Sequence, residues 1–563
     1  MASRTAVSAG EIRELALEKL GHRDLRPGQL ETIRLILAGH DTLSVMPTGS
    51  GKSAIYQIAA LFIKGSTVIV SPLIALQRDQ LESIRAHSLA EAAIVNSCVP
   101  AAQKRAAFEK FEDGELEFLF LAPEQLANDQ TMAKLMANPP SLFVVDEAHC
   151  MSEWGHDFRP EYGRLGKYIE QLGSPRVLAL TATAAPQVRE EIVARLGMRE
   201  ARTVVWGFDR PNIHLAVEAC PDEPTKARLV VDRVRDLVRG GAKPGIVYTA
   251  TRAHAEDVAT WLAEQANIKA EAYHAGMKKE ERERVQDGFM QGGVDVIVAT
   301  NAFGMGVDKP DVRFVIHYDI PEAVDAYYQE IGRAGRDGEP ARALLLYRPE
   351  DAGRRKAMAS SGKLLEDQVQ TVLEAVKETR SGVALKDLAA ELSEGDDDLT
   401  GAKVAKAVNR LEEVGAVTVT AEGRVALAGK RVNVARAAEA AVEEQEAYRR
   451  YRVGRVEIIK GYAETHECRR HYLLNYFGEA SDALCGHCDN CQTGLAKKHF
   501  ADQADDVGNG RPFPLNAKVT HAKFGAGVVM RYEGDKVVIL FDTAGYKSLV
   551  TAVVVGNGLV QLG

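Results

Sequence analysis

The sequence predicts an α/β chain in which two parallel-sheet halves are followed by a winged-helix-like segment, a cysteine-rich helical module and a small β-barrel. Three observations carry this. Short β-branched runs alternate with helical patterns from about residue 40 to 350, two helical patterns and a hairpin follow residue 360, and glycine-punctuated apolar runs fill the last fifty residues.

In the first half the runs are Thr67-Val68-Ile69-Val70, Leu142-Phe143-Val144-Val145 and Val177-Leu178-Ala179-Leu180. In the second they are Gly245-Ile246-Val247-Tyr248, Val296-Ile297-Val298-Ala299 and Phe314-Val315-Ile316-His317. Strands this apolar, separated by helices, belong to parallel sheets covered on both faces. Their number exceeds one compact domain, and the polar stretch Pro221 to Lys226 lies near the midpoint, so the boundary is placed at about residue 210. Beyond it, Val404, Val408, Leu411 and Val414 share a helical face, Gly415 caps it, and strands around Val417 to Val419 and Arg424 to Leu427 flank a turn at Glu422-Gly423. Residues 434 to 464 read as a long charged helix with Arg449, Arg450, Arg452, Arg455 and Lys460, either a solvated face or a phosphate-contacting one. The expected organisation is therefore 1–210, 211–360, a winged-helix-like domain at 361–432, the cysteine module at 433–492, a linker at 493–513 and the barrel at 514–563.

Composition fits this plan. The chain has 563 residues, 46% hydrophobic and 26% charged, enough for about four domains with ordinary cores. No window approaches an uncharged membrane span and the start lacks a signal-peptide core, so a soluble, cytoplasmic protein is expected. A net charge of −9 means that a nucleic-acid partner is held by local basic surface and not by the overall field. Of seven cysteines, Cys468, Cys485, Cys488 and Cys491 crowd together, and Cys98, Cys150 and Cys220 read as core thiols. Two overlapping Cys-x-x-Cys steps plus Cys468 give four thiolates, a closed tetrahedral and therefore structural zinc site, with His487 or His471 as the minor alternative ligand.

The strongest single motif is Thr48-Gly49-Ser50-Gly51-Lys52-Ser53 before an apolar helix. Glycines let backbone N–H groups close around phosphate oxygens, Lys52 neutralises the β/γ charge and the Ser53 hydroxyl ligates Mg²⁺. The standard spacing has glycine where this chain has Met46. The strand ending at Val145 runs into Asp146-Glu147-Ala148-His149. One carboxylate there holds the metal through water, and the other orients or deprotonates the attacking water. Together the two motifs imply a nucleoside triphosphatase. In the second half, Gln329-Glu330-Ile331-Gly332-Arg333-Ala334-Gly335-Arg336 offers two arginines, expected on one helical face, to stabilise γ-phosphate charge across a cleft. Trp154, His156, Phe158 and Arg159, interleaved with Gly155, Asp157 and Pro160, read as a loop whose aromatics stack on single-stranded bases beside Glu147.

These residues resemble the RecQ family of superfamily two DNA helicases over most of 15–350, with a second block at 455–491. The matching stretches are Leu25-Arg26-Pro27-Gly28-Gln29, the phosphate loop including Met46, Ser71 to Leu76, Leu121 to Leu126, Asp146 to His149, Cys150 to Pro160, Thr181-Ala182-Thr183-Ala184, Ala302 to Pro310, Gln329 to Gly338, and the basic helix after Cys468. The resemblance implies two RecA-like motor domains. It implies an ATP-, Mg²⁺- and Zn²⁺-dependent enzyme that moves 3′ to 5′ on single-stranded DNA and opens branched or tailed duplexes in DNA repair or recombination, near the nucleoid. By it Gln29 reads the adenine edge beside Arg26 and His22, Thr181 and Thr183 couple the ATP site to DNA, and Gln329, Arg333 and Arg336 face the phosphates, with Arg336 as arginine finger. His22 and Leu25 stand where the family carries aromatic residues. The winged-helix-like segment precedes the zinc cysteines instead of following them. The last segment, from His521 to Asp542, is similar to the Tudor-like barrel that ends UvrD and PcrA helicases, which implies a protein partner such as RNA polymerase. An RNA helicase or remodeller, or an ATP-switched adaptor that recruits a partner, are the competing readings.

Overall fold

Five buried runs and two edge runs become strands: β1 (Thr42–Val45), β2 (Thr67–Val70), β4 (Phe118–Leu121), β5 (Leu142–Val145) and β6 (Arg176–Thr181) inside, and β3 (Ala92–Val95) and β7 (Arg202–Val205) at the two edges. All pair parallel, in the order β3-β4-β2-β5-β6-β1-β7. A second parallel sheet has the order β10-β11-β9-β12-β13-β8, built from β8 (Ile213–Ala219), β9 (Gly245–Tyr248), β10 (Ala270–Tyr273), β11 (Val296–Ala299), β12 (Phe314–His317) and β13 (Ala341–Tyr347). The structure is a computed structural model that describes residues 7–563 except 27, 88, 153–158, 305–308, 361–362, 380–381, 396–397, 421–422, 430–431, 480–482, 500–511, 514–516, 534 and 542–543.

Strand order decides where chemistry gathers. β1, β6 and β5 lie side by side, so the segments that leave their carboxyl ends emerge within about 10 Å of one another, two strand spacings apart. These segments carry the phosphate loop, Thr181 and Asp146-Glu147.

The second half departs from expectation at its arginines. The helix Val324–Ile331 stops before them, and Arg333 and Arg336 stand in the turn that follows, not on a helical face. Gly335 adopts φ +56°, and a Cβ there would lie 2.4 Å from the Asn212 amide nitrogen, so the close approach of Asn212 requires glycine and ends the helix.

Helices Glu366–Glu378, Leu385–Gly395 and Gly401–Glu413 pack with a three-stranded antiparallel sheet of order β14-β16-β15, built from β14 (Val383–Ala384), β15 (Val417–Val419) and β16 (Arg424–Leu427). Val369, Val372, Val376, Val404, Val408 and Leu411 form its own core. The unit is inserted between two helices that pack against each other, Pro349–Ala359 and the long Val434–Glu464. Its helix Gly401–Glu413 touches the first half through the Arg164–Glu412 ion pair.

The long helix does not present its basic residues on one face. Arg455 is buried against the carboxylate of Asp325, 3.4 Å away, and the Tyr451 ring, while Arg449 pairs with Glu446 on its own helix. Arg455 thus neutralises a buried acid that also accepts a hydrogen bond from the Tyr476 hydroxyl. A guanidinium placed inside needs such a partner, which the helical pattern alone does not reveal.

The expected linker begins as helix at 495–499. The last strands, β17 (Lys518–His521), β18 (Gly525–Glu533), β19 (Lys536–Phe541), β20 (Gly545–Val550) and β21 (Val560–Leu562), form an antiparallel sheet of order β20-β19-β18-β17-β21. It is docked on the body. Met530 and Leu540 enter the same core as Tyr451, Ile458 and Tyr476, Tyr546 packs where a Cβ on Gly454 would clash at 2.6 Å, and Lys518 pairs with Glu190 of the first half at 3.0 Å.

The most deeply buried charge in the second half is Lys226, fully covered, with Asp319 at 3.0 Å and Asp351 at 2.7 Å. Lys226→Ala leaves two buried carboxylates facing each other and is expected to cost about 3 kcal/mol or more. A lower urea midpoint for the second half is the outcome to look for; an unchanged midpoint would mean that the triad contributes nothing.

Candidate nucleotide site and zinc centre

The phosphate loop follows β1 directly, and its glycines allow what other residues forbid. Gly51 sits at φ +75°, where a Cβ would meet the Gln29 amide nitrogen at 2.8 Å. Gln29 donates from Nε2 to the Ser50 and Gly51 carbonyls, at 3.0 and 2.9 Å, and accepts the Arg26 N–H at 2.7 Å; Arg26 itself donates to the Gly49 carbonyl. The amide expected to read adenine here fastens the loop. His22 is exposed nearby, and Trp206, which sequence reasoning passed over, packs against Gly28 and donates its indole N–H to Glu31.

Lys52 begins the helix Lys52–Phe62 and turns its ammonium back to the Met46 and Pro47 carbonyls, at 3.2 and 3.4 Å. Burial lowers its pKa, and the nearby Glu147 and Asp146 oppose that shift. Asp146, at the end of β5, is pushed up to about 7 by burial and by Glu147, with Lys52 pulling it down. A buried carboxylate and a buried ammonium side by side suit the binding of a cation and an anion. Ser53 and Asp146 are placed to hold Mg²⁺, and Thr48 to Lys52 to receive the phosphates. Bound Mg²⁺ would neutralise phosphate charge.

Glu147 has left-handed backbone, φ 49°, which turns its carboxylate toward His149, 3.3 Å away. His149 Nδ1 lies 2.9 Å from the Thr181 hydroxyl, which donates to the Thr183 carbonyl and receives the Thr183 N–H. This buried chain links the carboxylates to the end of β6. Arg159 donates to the Pro72 carbonyl at 3.2 Å, and Ser152 bonds Glu191 on the helix Pro186–Arg195. Trp154, His156 and Phe158 lie outside the described residues.

The second half closes the cleft. Arg336 lies across the phosphate loop, its Cδ 3.3 Å from where a Gly49 Cβ would stand. Arg333 is buried beside Gly304 and near Tyr248, and Gln329 occupies the last turn of the helix Val324–Ile331. The turn bearing the arginines is held by Arg210 and Asn212, from the segment joining the two sheets. Neither was singled out from sequence; the only signal was their place at the boundary near residue 210.

The four sulfur atoms of Cys468, Cys485, Cys488 and Cys491 all lie within 4.8 Å of one another. The N–H groups of His487 and Cys488 point at Cys485 Sγ, at 3.4 and 3.3 Å, as donors do around a thiolate. His471 bonds Asn475 and His487 stacks edge-on against His214, so neither joins the cluster. Four thiolates on two short segments fit a structural zinc ion. Of the other cysteines, Cys150 and Cys220 are buried, but Cys98 is exposed in the turn after β3.

Comparison with known proteins agrees with this geometry. Residues 26–192 match the DEAD/DEAH box helicase family, 230–338 the helicase conserved C-terminal domain and 430–492 the RecQ zinc-binding domain. A Bacillus subtilis protein named probable ATP-dependent DNA helicase RecS is 39% identical over 66% of this chain and 73% of its own length. The chain belongs to the RecQ family of ATP-dependent DNA helicases. The family's RecQ protein of Haemophilus influenzae is 33% identical over 84% of this chain and 62% of its own length. The structure of the DUF1998 helicase MrfA bound to DNA shares the fold, with a TM-score of 0.52 at 18% identity over 77% of this chain and 61% of that one. Family membership brings ATP and Mg²⁺ as cofactors, and the cysteine cluster brings Zn²⁺. Among the described residues no helix is long and apolar enough to cross a membrane.

Replacing Cys485 with Ser removes the sulfur that accepts two backbone donors. Zinc released from the unfolded chain and measured with a chromogenic chelator is expected to fall from about one ion per chain to a small fraction of that. Full retention would exclude Cys485 as a ligand.

Proposed function

We propose that ATP hydrolysis between the two sheets drives this chain 3′ to 5′ along single-stranded DNA and opens tailed or branched duplexes, in DNA repair or recombination. The observation that carries the reading is Arg336 of the second half lying against Gly49 of the first half's phosphate loop. A phosphate tail bound there sits between Lys52 and an arginine that only the other half supplies, so hydrolysis depends on closure and loss of the γ-phosphate favours opening.

In this scheme Lys52 holds the β/γ-phosphates, and Ser53 and Asp146 hold the metal. Glu147 takes a proton from the attacking water, while Gln329, Arg333 and Arg336 stabilise the charge that develops on the transferred group. The run of contacts from Glu147 to His149, 3.3 Å apart, and on by hydrogen bonds to Thr181 and Thr183 supports a coupling role, because it ties the carboxylate assigned as general base to the end of β6. Trp154 and Phe158 would stack on bases, with His156 and Arg159 near phosphate. The C-terminal unit would recruit a protein partner such as RNA polymerase at the nucleoid, a role supported by the exposed Val553 and Val555 on its short helix Thr551–Gly556.

Glu147→Gln and Lys52→Ala are expected to abolish DNA-stimulated hydrolysis, and Arg336→Ala to lower kcat by about 10³-fold. Strand separation on matched DNA and RNA duplexes with 3′ or 5′ tails tests the whole reading. Opening of 3′-tailed DNA by the wild type and not by Lys52→Ala is the expected result. Preference for RNA, or hydrolysis without opening, would replace it with a remodeller or a recruitment switch.

A further inference from the structure

The turn that follows the helix Val324–Ile331 points several of its carbonyls toward the segment that joins the two sheets. Arg210 meets them with its whole fork. Nη1 donates to the Gly332 carbonyl at 3.0 Å, and Nη2 to those of Ala334 and Gly335 at 2.8 and 3.1 Å. Asn212 adds a bond to Gly335 at 2.7 Å and one to Glu339 at 3.0 Å. A cation also suits the negative end of that helix. The next residue in the chain is Arg336.

The joining segment is in turn gripped by the zinc-bearing module. Arg470, on the helix Arg469–Tyr476 that starts at a zinc cysteine, donates to the carbonyls of Arg210 and Ile213 at 3.1 and 3.2 Å and pairs with Asp209 at 3.2 Å. Phe208 stacks on Phe477, 4.4 Å apart and nearly coplanar, and its N–H donates to Glu479 at 2.9 Å. The Tyr328 hydroxyl, eight residues before the finger, donates to the Phe208 carbonyl. Residues 208–212 thus join the zinc helix to the arginine turn, alongside direct contacts of that helix and of Phe477 with the helix Val324–Ile331, through Tyr476 to Asp325 and Phe477 to Tyr328.

We propose that Arg210 is the positioning residue for the arginine finger, and that the zinc module fixes the finger's place by holding the backbone of Arg210 through Arg470. This rests on the reading of Arg336 as the finger. Arg210 spends its fork on carbonyls, so it acts through Arg336. A displacement of about 1 Å at a reacting centre costs about 10²-fold in rate, which sets the scale of its effect.

The test is steady-state hydrolysis with saturating oligo-dT, on Arg210→Ala, Arg210→Lys, Arg470→Ala, Arg336→Ala and the Arg210→Ala/Arg336→Ala pair. Arg210→Ala should lower kcat by about 10²-fold and leave the KM for ATP within about twofold. Arg210→Lys keeps the buried cation and serves if the alanine variant does not fold; one ammonium cannot span three carbonyls, so it should lose most of the same kcat at an unchanged melting temperature. Arg470→Ala should lower kcat by about tenfold while zinc content stays at about one ion per chain. The double variant should be no slower than Arg336→Ala alone. Multiplying losses in the double variant, a rise in KM in place of the fall in kcat, or wild-type kcat in Arg210→Lys would each overturn the proposal. An unchanged kcat in Arg336→Ala would sink the finger assignment itself.

Discussion

A triphosphate carries more charge than one sheet edge can neutralise, and the molecule is organised around supplying the missing cation from elsewhere. The first half contributes backbone N–H groups, Lys52 and the metal-holding carboxylate at the ends of β1 and β5. The second contributes Arg336, set against Gly49. A charge brought across a cleft is strong only when water is excluded, and it is present only when the halves are closed. In the proposed scheme, binding, hydrolysis and relative movement of the two sheets are thereby one event.

This requirement explains why so much of the chain lies outside the two sheets. A finger that must arrive within hydrogen-bonding distance needs support on a scale finer than a flexible joint gives. The support is a layer of part-buried polar contacts along 208–212, packed against the zinc helix and Phe477. Arg189 ties the same layer to the first half by donating to the carbonyls of Ala184 and Phe477. Four thiolates closed around one ion stiffen a module too small to hold itself by apolar burial alone.

The winged-helix-like unit and the C-terminal sheet sit on the same support. The winged-helix-like unit grows from the tip of a helix pair, Pro349–Ala359 with Val434–Glu464, and reaches the first half through Glu412. The C-terminal sheet packs on the long helix and the zinc helix, through Tyr546, Met530 and Leu540, and bridges to Glu190. It is thus part of the body and not a tethered appendage.

Motifs that act through backbone geometry were legible in the sequence, because their residue types are forced locally. Glycines before Lys52, paired acids after an apolar strand and cysteines at zinc spacing each leave a mark within ten residues, and the alternation of strands and helices gave two parallel sheets, a cysteine module and a terminal β unit. What depended on distant neighbours left no local mark. Arg333 and Arg336 fit a helical spacing, yet Asn212 approaches too closely for the helix to continue past Gly332. Arg455 fits a basic helical face, yet Asp325 draws it inside. Cys98 has the composition of a core thiol but falls in an exposed turn. Arg210 and Asn212 look like linker residues until the fold places the carbonyls of Gly332, Ala334 and Gly335 in front of them. The sequence by itself determined which groups can bind phosphate and zinc, since that chemistry is written in short runs. Only the tertiary structure decided which charge faces which, because pairing across hundreds of residues is set by how the sheets, the joining segment and the zinc helix pack.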